Sequence, residues 1–287
     1  MGERDAAAAA GNMARLALLE KSLAGIDLAK FAEPQPFHRV EIASGATLYR
    51  GPGGRRRLLI AFGGRGDRIG PPTPVFLQCI DAARWDVLLL RDPKLCHFRL
   101  GVAGVGKNFA AVLPWLAPKA ARYTYVATLG YSSGGLAAIW AGLALGADRA
   151  ICVSGQRPQD VNRLFGKGAV PTPFTAACAC LDATVRRPFA FVHAANHAED
   201  ASFAQSLAGV TGGMAIAAPG YNMHPVLGYM WMRGHLQGFL DTVLMAPMNT
   251  NLPGRVTAHF RSVQPPYLSA RADQIPAVAK GVAPDGD

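Results

Sequence analysis

The 287-residue chain is poor in charge: Asp, Glu, Lys and Arg make up only 17% of it, while half of its residues are hydrophobic. That balance excludes wholesale disorder, because enough apolar surface is present to build one large core. No apolar stretch runs through the ~18 uninterrupted residues that a membrane helix needs, since Gly, Pro or a charge breaks every candidate. Membrane insertion is therefore not expected. The start of the chain lacks a basic segment leading into an apolar one: Glu3, Arg4 and Asp5 precede a short alanine run, followed by Glu20 and Lys21. Without a secretory signal, a soluble cytoplasmic protein is expected.

Cysteine is scarce as well, and its five copies do not pair into a secreted disulfide framework. Cys178-Ala179-Cys180 lacks the second ligand pair of a structural zinc site, so reduced, buried thiols are expected and no metal or other cofactor is called for. Acidic residues are outnumbered 19 to 29 by Lys and Arg, giving a formal charge of +10. Such a surface attracts polyanions without selecting among them. The densest basic runs, Arg55-Arg56-Arg57 and Arg186-Arg187, each precede an apolar stretch and read as solvated strand entries, so no specific nucleic-acid partner is expected. Internal repeats are missing too.

What is present is an alternation. Short apolar runs at Leu58–Phe62, Val87–Leu90, Tyr123–Leu129, Ala150–Val153, Phe189–Val192 and Met214–Ala217 are separated by loops and helix-like segments. Strands buried on both faces by crossover helices have this composition, which implies an α/β fold with a mostly parallel, doubly wound sheet flanked by helices. Two helices stand out, one striped by Leu136, Ile139, Trp140 and Leu143, the other by Leu236, Phe239, Leu240, Val243 and Leu244. Residues 1–56 read as an amphipathic helix near 12–32 and a hairpin around Ser44-Gly45, leading into a core over 57–246. Within that core the irregular stretch 156–182 offers a place for a lid, and the Pro-rich segment 247–287 reads as an extended tail.

Two glycine-rich motifs compete for the chemistry. Gly101-Val102-Ala103-Gly104-Val105-Gly106-Lys107-Asn108 has the spacing of a phosphate cradle, but Asn108 stands where a magnesium-binding hydroxyl belongs. It also follows the strand Val87–Leu90 only after a long interval, whereas a cradle needs strand, loop and helix in direct succession. The second motif is Gly130-Tyr131-Ser132-Ser133-Gly134, which runs straight out of one strand and into one of the two clear helices. A serine at such an apex is forced into a strained backbone conformation, and small residues two positions either side let strand and helix pass closely. Ser132 is the candidate nucleophile, with Ser133 the alternative if the apex is shifted by one. The Ser133 N–H, at the start of the helix, is a candidate oxyanion donor.

On this motif and its setting the sequence resembles the α/β-hydrolase superfamily over residues 57–246. The resemblance implies a serine hydrolase acting on an ester or thioester through an acyl-enzyme, with the order Ser, acid, His. The second oxyanion N–H would come from the loop Phe62-Gly63-Gly64-Arg65-Gly66, where Gly64 is the first candidate and Arg65 the next, although Phe62 replaces the His that often opens this loop. His224, in Pro219-Gly220-Tyr221-Asn222-Met223-His224-Pro225, follows the last strand and takes the place of the general base. For the acid, Asn196 stands near where Asp is common, leaving Asp200, Glu199 or Asp160. His193 and His197 read as pocket or surface residues.

The Ser-Ser-Gly-Gly elbow and the His-Pro-Val-Leu-Gly-Tyr segment also resemble bacterial hydrolase-fold proteins of glycan modification. That makes a small-molecule or glycan-linked acyl substrate, and acyl transfer beside hydrolysis, part of the expectation. A non-catalytic hydrolase fold that binds a ligand is the alternative of a different class.

Overall fold

A computed structural model describes residues 35–53, 57–64, 66–94, 96–157, 188–247 and 251–262. The helix expected at 12–32, the Cys178-Ala179-Cys180 segment, Asp160 and the lid stretch from 158 onward lie outside the described residues.

The expected hairpin is present. Strands β1 (His38–Ala43) and β2 (Ala46–Arg50) pair antiparallel around Ser44-Gly45, and β2 runs antiparallel beside β4 (Trp85–Leu90). The rest of the sheet is parallel: β3 (Arg57–Phe62), β4, β5 (Tyr125–Tyr131), β6 (Arg149–Val153), β7 (Phe189–Ala194) and β8 (Met214–Ala218). Across the eight strands the spatial order is β1-β2-β4-β3-β5-β6-β7-β8. Each of the six apolar runs picked out from the sequence is one of these parallel strands. Their side chains alternate between two cores, as the period of two requires. Leu58, Ile60 and Phe62 face one layer, while Leu59 and Ala61 face the other.

The first layer holds α2 (Phe109–Ala120), α3 (Gly135–Leu145) and α4 (Ala198–Thr211). The second holds α1 (Thr73–Gln78), α5 (Val226–Met232), α6 (Leu236–Met245) and α7 (Leu252–Ser262). Because both faces are covered, the central strands bury nearly every residue, which is why they read as unbroken apolar runs.

One sequence expectation needs correction. The stretch after Pro247 is not all extended, because residues 252–262 form α7. Leu252, Val256 and Phe260 recur every four residues and are buried, and Pro253 lies in the first turn, where its missing N–H costs nothing. α7 packs on β8 and α6, and the Phe260 ring lies 5.5 Å from Tyr221 and 6.1 Å from Phe239. The helix striped by Leu236 to Leu244 is present as α6, and a shorter α5 precedes it. Gly234, at φ 73°, separates α5 from α6.

The phosphate-cradle motif is built differently from a nucleotide site. Val102 bridges to Gly106 within the motif, the Gly45 N–H of the hairpin turn donates to Ala103 O, and the Asn108 side chain caps α2 by accepting from the Ala111 N–H. Its glycines serve a compact turn packed on β1 and β2, and the amide that displaced the expected hydroxyl is occupied as a helix cap.

Candidate functional site

The site is assembled at the C-terminal edge of the parallel strands, where open α/β sheets place their ligands. β5 runs two residues further than the sequence suggested, pairing Gly130 with Phe62 on one side and Tyr131 with Val153 on the other. The chain then turns through a single 3-10 turn, Ser132–Gly134, directly into α3. Ser132 has φ 51°, the left-handed conformation expected of the apex, which costs on the order of 1–3 kcal/mol and persists only because its surroundings hold it. Gly130 and Gly134 supply the close passage: a Cβ on Gly130 would collide with Gly134 O, and one on Gly134 with Phe62 O.

The Ser132 hydroxyl lies 2.9 Å from His224 Nε2, although 92 residues separate them in the chain. His224 Nδ1 is 3.0 Å and 3.1 Å from the two carboxylate oxygens of Asp200. A carboxylate can only accept, so Nδ1 carries the proton and donates, and Nε2 is left bare to accept from the serine hydroxyl. Of the two candidate acids among the described residues, Asp200 is therefore the one in contact. Its side chain is 3% exposed, in the first turn of α4, where the positive end of the helix favours a carboxylate. Glu199, its neighbour, points to solvent and reaches His224 only as a distant charge.

Electrostatics favour the imidazolium. The hydrogen bond to Asp200 raises the affinity of His224 for its proton above the ordinary histidine value of 6.5, against the opposing effect of burial. The same pairing stabilises the folded chain fully below the unfolded histidine pKa, and that contribution is lost as pH rises through the higher folded value.

Sequence reasoning passed over the neighbours that hold this triad. His197 is the N-cap of α4: its Nδ1 accepts from the Asp200 N–H at 3.2 Å and lies 3.3 Å from Asp200 Oδ1. Only one of these contacts can be favourable at a time, because the cap requires a lone pair on Nδ1 and the carboxylate a proton there. The His-x-x-Asp spacing at a helix start was the available signal. Asn196, near which an acid was sought from the sequence, instead donates its backbone N–H to Tyr221 O at 3.1 Å. Tyr221 also bonds His235 Nδ1 through its hydroxyl at 2.7 Å. The loop carrying His224 is thus tied to β7 through one contact and to the α5–α6 junction through the other. His193 is buried in β7 with its ring against Ala194 O and takes no part.

The first oxyanion candidate of the glycine-rich loop departs from expectation, and Arg65, the next, lies outside the described residues. Gly64 does abut the elbow, but its N–H donates to Arg68 O at 2.8 Å and is committed within its own turn. What Gly64 contributes is space. A Cβ there would sit 2.7 Å from Tyr131 O and 2.9 Å from Tyr131 Cδ1. Gly64→Ala is expected to cost about 1–3 kcal/mol of unfolding free energy in urea titration, because the contact is with backbone that cannot yield. Ser133 follows the apex with a buried hydroxyl that has no hydrogen-bond partner among the described residues, whereas the Ser132 hydroxyl is the one bonded to His224. Its N–H lies in the first turn of the 3-10 turn leading into α3, where helical N–H groups lack an internal acceptor. The Cys152 thiol, buried behind the elbow, is pushed up to about 12 by desolvation and is chemically silent at neutral pH.

Among the described residues there is no cluster of three His, Cys, Asp or Glu side chains able to hold a metal, and no helix long and apolar enough to cross a membrane. No family model matches the chain, and no curated protein matches it in sequence. Solved structures do match it in shape. A dienelactone hydrolase from Anabaena variabilis superposes with a TM-score of 0.50 at 15% identity, covering 76% of this chain and all of that one (100%). EstE1, a thermostable carboxylesterase cloned from a metagenomic library, gives 0.52 at 15% identity over 86% of this chain and 94% of its own. The hyperthermophilic esterase of the archaeon Pyrobaculum calidifontis gives 0.50 at 14% identity over 85% and 92%.

Proposed function

Since the chain has the α/β-hydrolase fold, we propose that it is a serine-dependent hydrolase that cleaves a carboxylic ester or thioester through an acyl-enzyme at Ser132. The observation that carries this reading is the continuous hydrogen-bonded series from the Ser132 hydroxyl through His224 to the buried Asp200. Strained apex, bare Nε2 and buried carboxylate come from three distant parts of the chain and have no common structural need to meet.

In the proposed reaction Ser132 Oγ attacks the acyl carbon while His224 Nε2 takes its proton. Asp200 keeps the imidazole in the required tautomer and stabilises the imidazolium. The carbonyl oxygen, now an oxyanion, accepts from the Ser133 N–H at the positive end of α3. Collapse breaks the bond to the alcohol or thiol, which leaves with the proton from His224. Water then repeats the sequence on the acyl-serine and releases the acid. A second hydroxyl in place of water would yield acyl transfer, so glycan acylation or deacylation belongs to the same chemistry.

Pre-steady-state hydrolysis of a p-nitrophenyl ester tests the reading. A burst of p-nitrophenolate stoichiometric with enzyme, followed by slower turnover, is the expected result; a linear trace at the background rate would leave the fold as a non-catalytic binder. Addition of glycan acceptors that speeds turnover and yields acylated glycan would assign transfer rather than hydrolysis.

The pH dependence has a definite sign. Attack requires neutral His224, whose proton is held by Asp200, so kcat/KM is expected to rise with pH along an acid limb with its midpoint above 6.5. A midpoint well below that value would show that the base is a different group or that Asp200 is not ionised beside it.

A further inference from the structure

Arg50, Lys119 and Arg122, which the proposed chemistry does not use, share one recess of the surface. The recess, of about 110 Å³, opens on the α2 side of the sheet, between the strands β1 to β4 and the C-terminal end of α2. Leu58, on its floor, is in register with Val126, six residues before Ser132, so the recess lies roughly 20 Å from the serine by strand rise. It belongs to a different surface from the triad.

Its chemistry is divided. The floor is aliphatic, made by Leu48, Leu58 and Leu88, with Ile42 at the lip and more than a third exposed. Tyr123 adds only its ring, because its hydroxyl already donates to the buried Asp86 carboxylate at 2.7 Å. Around the mouth stand Arg50, Lys119 and Arg122. None of the three forms an ion pair with a carboxylate among the described residues, and Asp86, the acid beneath, is taken by Tyr123 and the Gly51 N–H. Lys119 Nζ rests 3.6 Å from the Trp115 ring centre, with a single hydrogen bond to Trp115 O. Like charges are therefore crowded at the rim of an apolar hole. Burial and, after it, the Arg122 charge lower the hold of Lys119 on its proton, so an arriving anion would offset the repulsion between the two cations.

We propose that this recess is a second binding site, for an amphiphilic monoanion of the fatty-carboxylate class, with its chain on the leucine floor and its head group between Arg50, Lys119 and Arg122. Charge complementarity selects the head group: a carboxylate can accept from two guanidinium forks, which prefer planar bidentate anions. The aliphatic floor selects the tail, because each methylene it covers is removed from water. A polyanion such as nucleic acid needs an extended basic stripe, and a bilayer meets a flat or convex face; a concavity of about 110 Å³ suits a single short chain. The site stands independently of the hydrolase reading, since none of its residues touches Ser132, His224 or Asp200.

Calorimetric titration of the full chain with octanoate, in low salt, tests it, alongside octanol, inorganic phosphate and phosphatidylglycerol vesicles. Octanoate is expected to bind at least tenfold more tightly than octanol or phosphate. The paired substitution Arg50→Gln with Arg122→Gln removes two exposed charges without touching the core, and should weaken octanoate at least tenfold while leaving hydrolysis of p-nitrophenyl acetate unchanged. Trp115 fluorescence should shift on octanoate addition to the wild type and not to the double variant. Equal octanoate affinity in the double variant would place the ligand elsewhere, the acyl side of the triad included, and overturn the proposal. Phosphate binding as tight as octanoate would reduce the recess to a plain anion patch. Vesicle binding lost in the double variant, with no binding of free octanoate, would make it a membrane-facing surface instead.

Discussion

Ser132→Ala is expected to lower kcat on short-chain p-nitrophenyl esters by about 10⁴-fold or more, to the level that binding and oxyanion stabilisation sustain alone. The effect is large because the serine is the only covalent partner in the proposed reaction, and its strained φ of 51° has no value to folding that Ala would lose. Circular dichroism and thermal unfolding should show the variant as stable as the wild type, or slightly more so. Ser133→Ala is the informative contrast. Its hydroxyl is buried without a hydrogen-bond partner among the described residues and its proposed contribution is the backbone N–H, so kcat should stay within about tenfold of the wild type. Loss of activity in Ser133→Ala with retention in Ser132→Ala would move the apex by one residue and break the hydrogen-bonded series on which the mechanism rests.

Asp200→Asn should cost about 10³- to 10⁴-fold in kcat with little change in fold. An amide at this position can turn its NH₂ toward His224 Nδ1, and the ring then carries its proton on Nε2, the atom that must be bare. Without the carboxylate the imidazolium also loses the hydrogen bond that raises its pKa, so the acid limb of any residual kcat/KM profile should move down. Glu199→Gln separates this effect from general acidity: that side chain is exposed and touches His224 only through long-range charge, so kcat should fall no more than about threefold. Equal effects of the two substitutions would mean that the buried contact at 3.0 Å does not orient the base.

The parts of this arrangement that depend on local pattern were legible in the sequence, and the parts that depend on how peptide groups face one another were not. Leu58–Phe62 and Phe189–Val192 announce themselves because a strand covered on both faces has no polar positions to confuse the pattern. Ser132 and His224 could be named because the strand-turn-helix apex and the order along the chain are one-dimensional features. Asp200 could only be one of three, since an acid in the first turn of a helix looks the same whether it faces solvent or a histidine. The Gly64 N–H was misjudged for a related reason: it is bonded to Arg68 O, and sequence carries no direct sign of a peptide's orientation. α7 was missed because Pro253 and Gly254 dilute a stripe whose only strong marks are Leu252, Val256 and Phe260. Its importance is tertiary, through the packing of Phe260 on the Tyr221 ring that anchors the His224 loop.

Reaction with a fluorophosphonate, followed by intact-mass and peptide mass spectrometry, tests the activated serine most directly, because only a hydroxyl beside a bare imidazole nitrogen reacts quickly. A single adduct per chain on the peptide containing Ser132, formed rapidly in the wild type and not in His224→Ala, is the expected result. No adduct in folded wild-type protein, or one at the same rate in His224→Ala, would contradict the proposal that these two residues work as nucleophile and base.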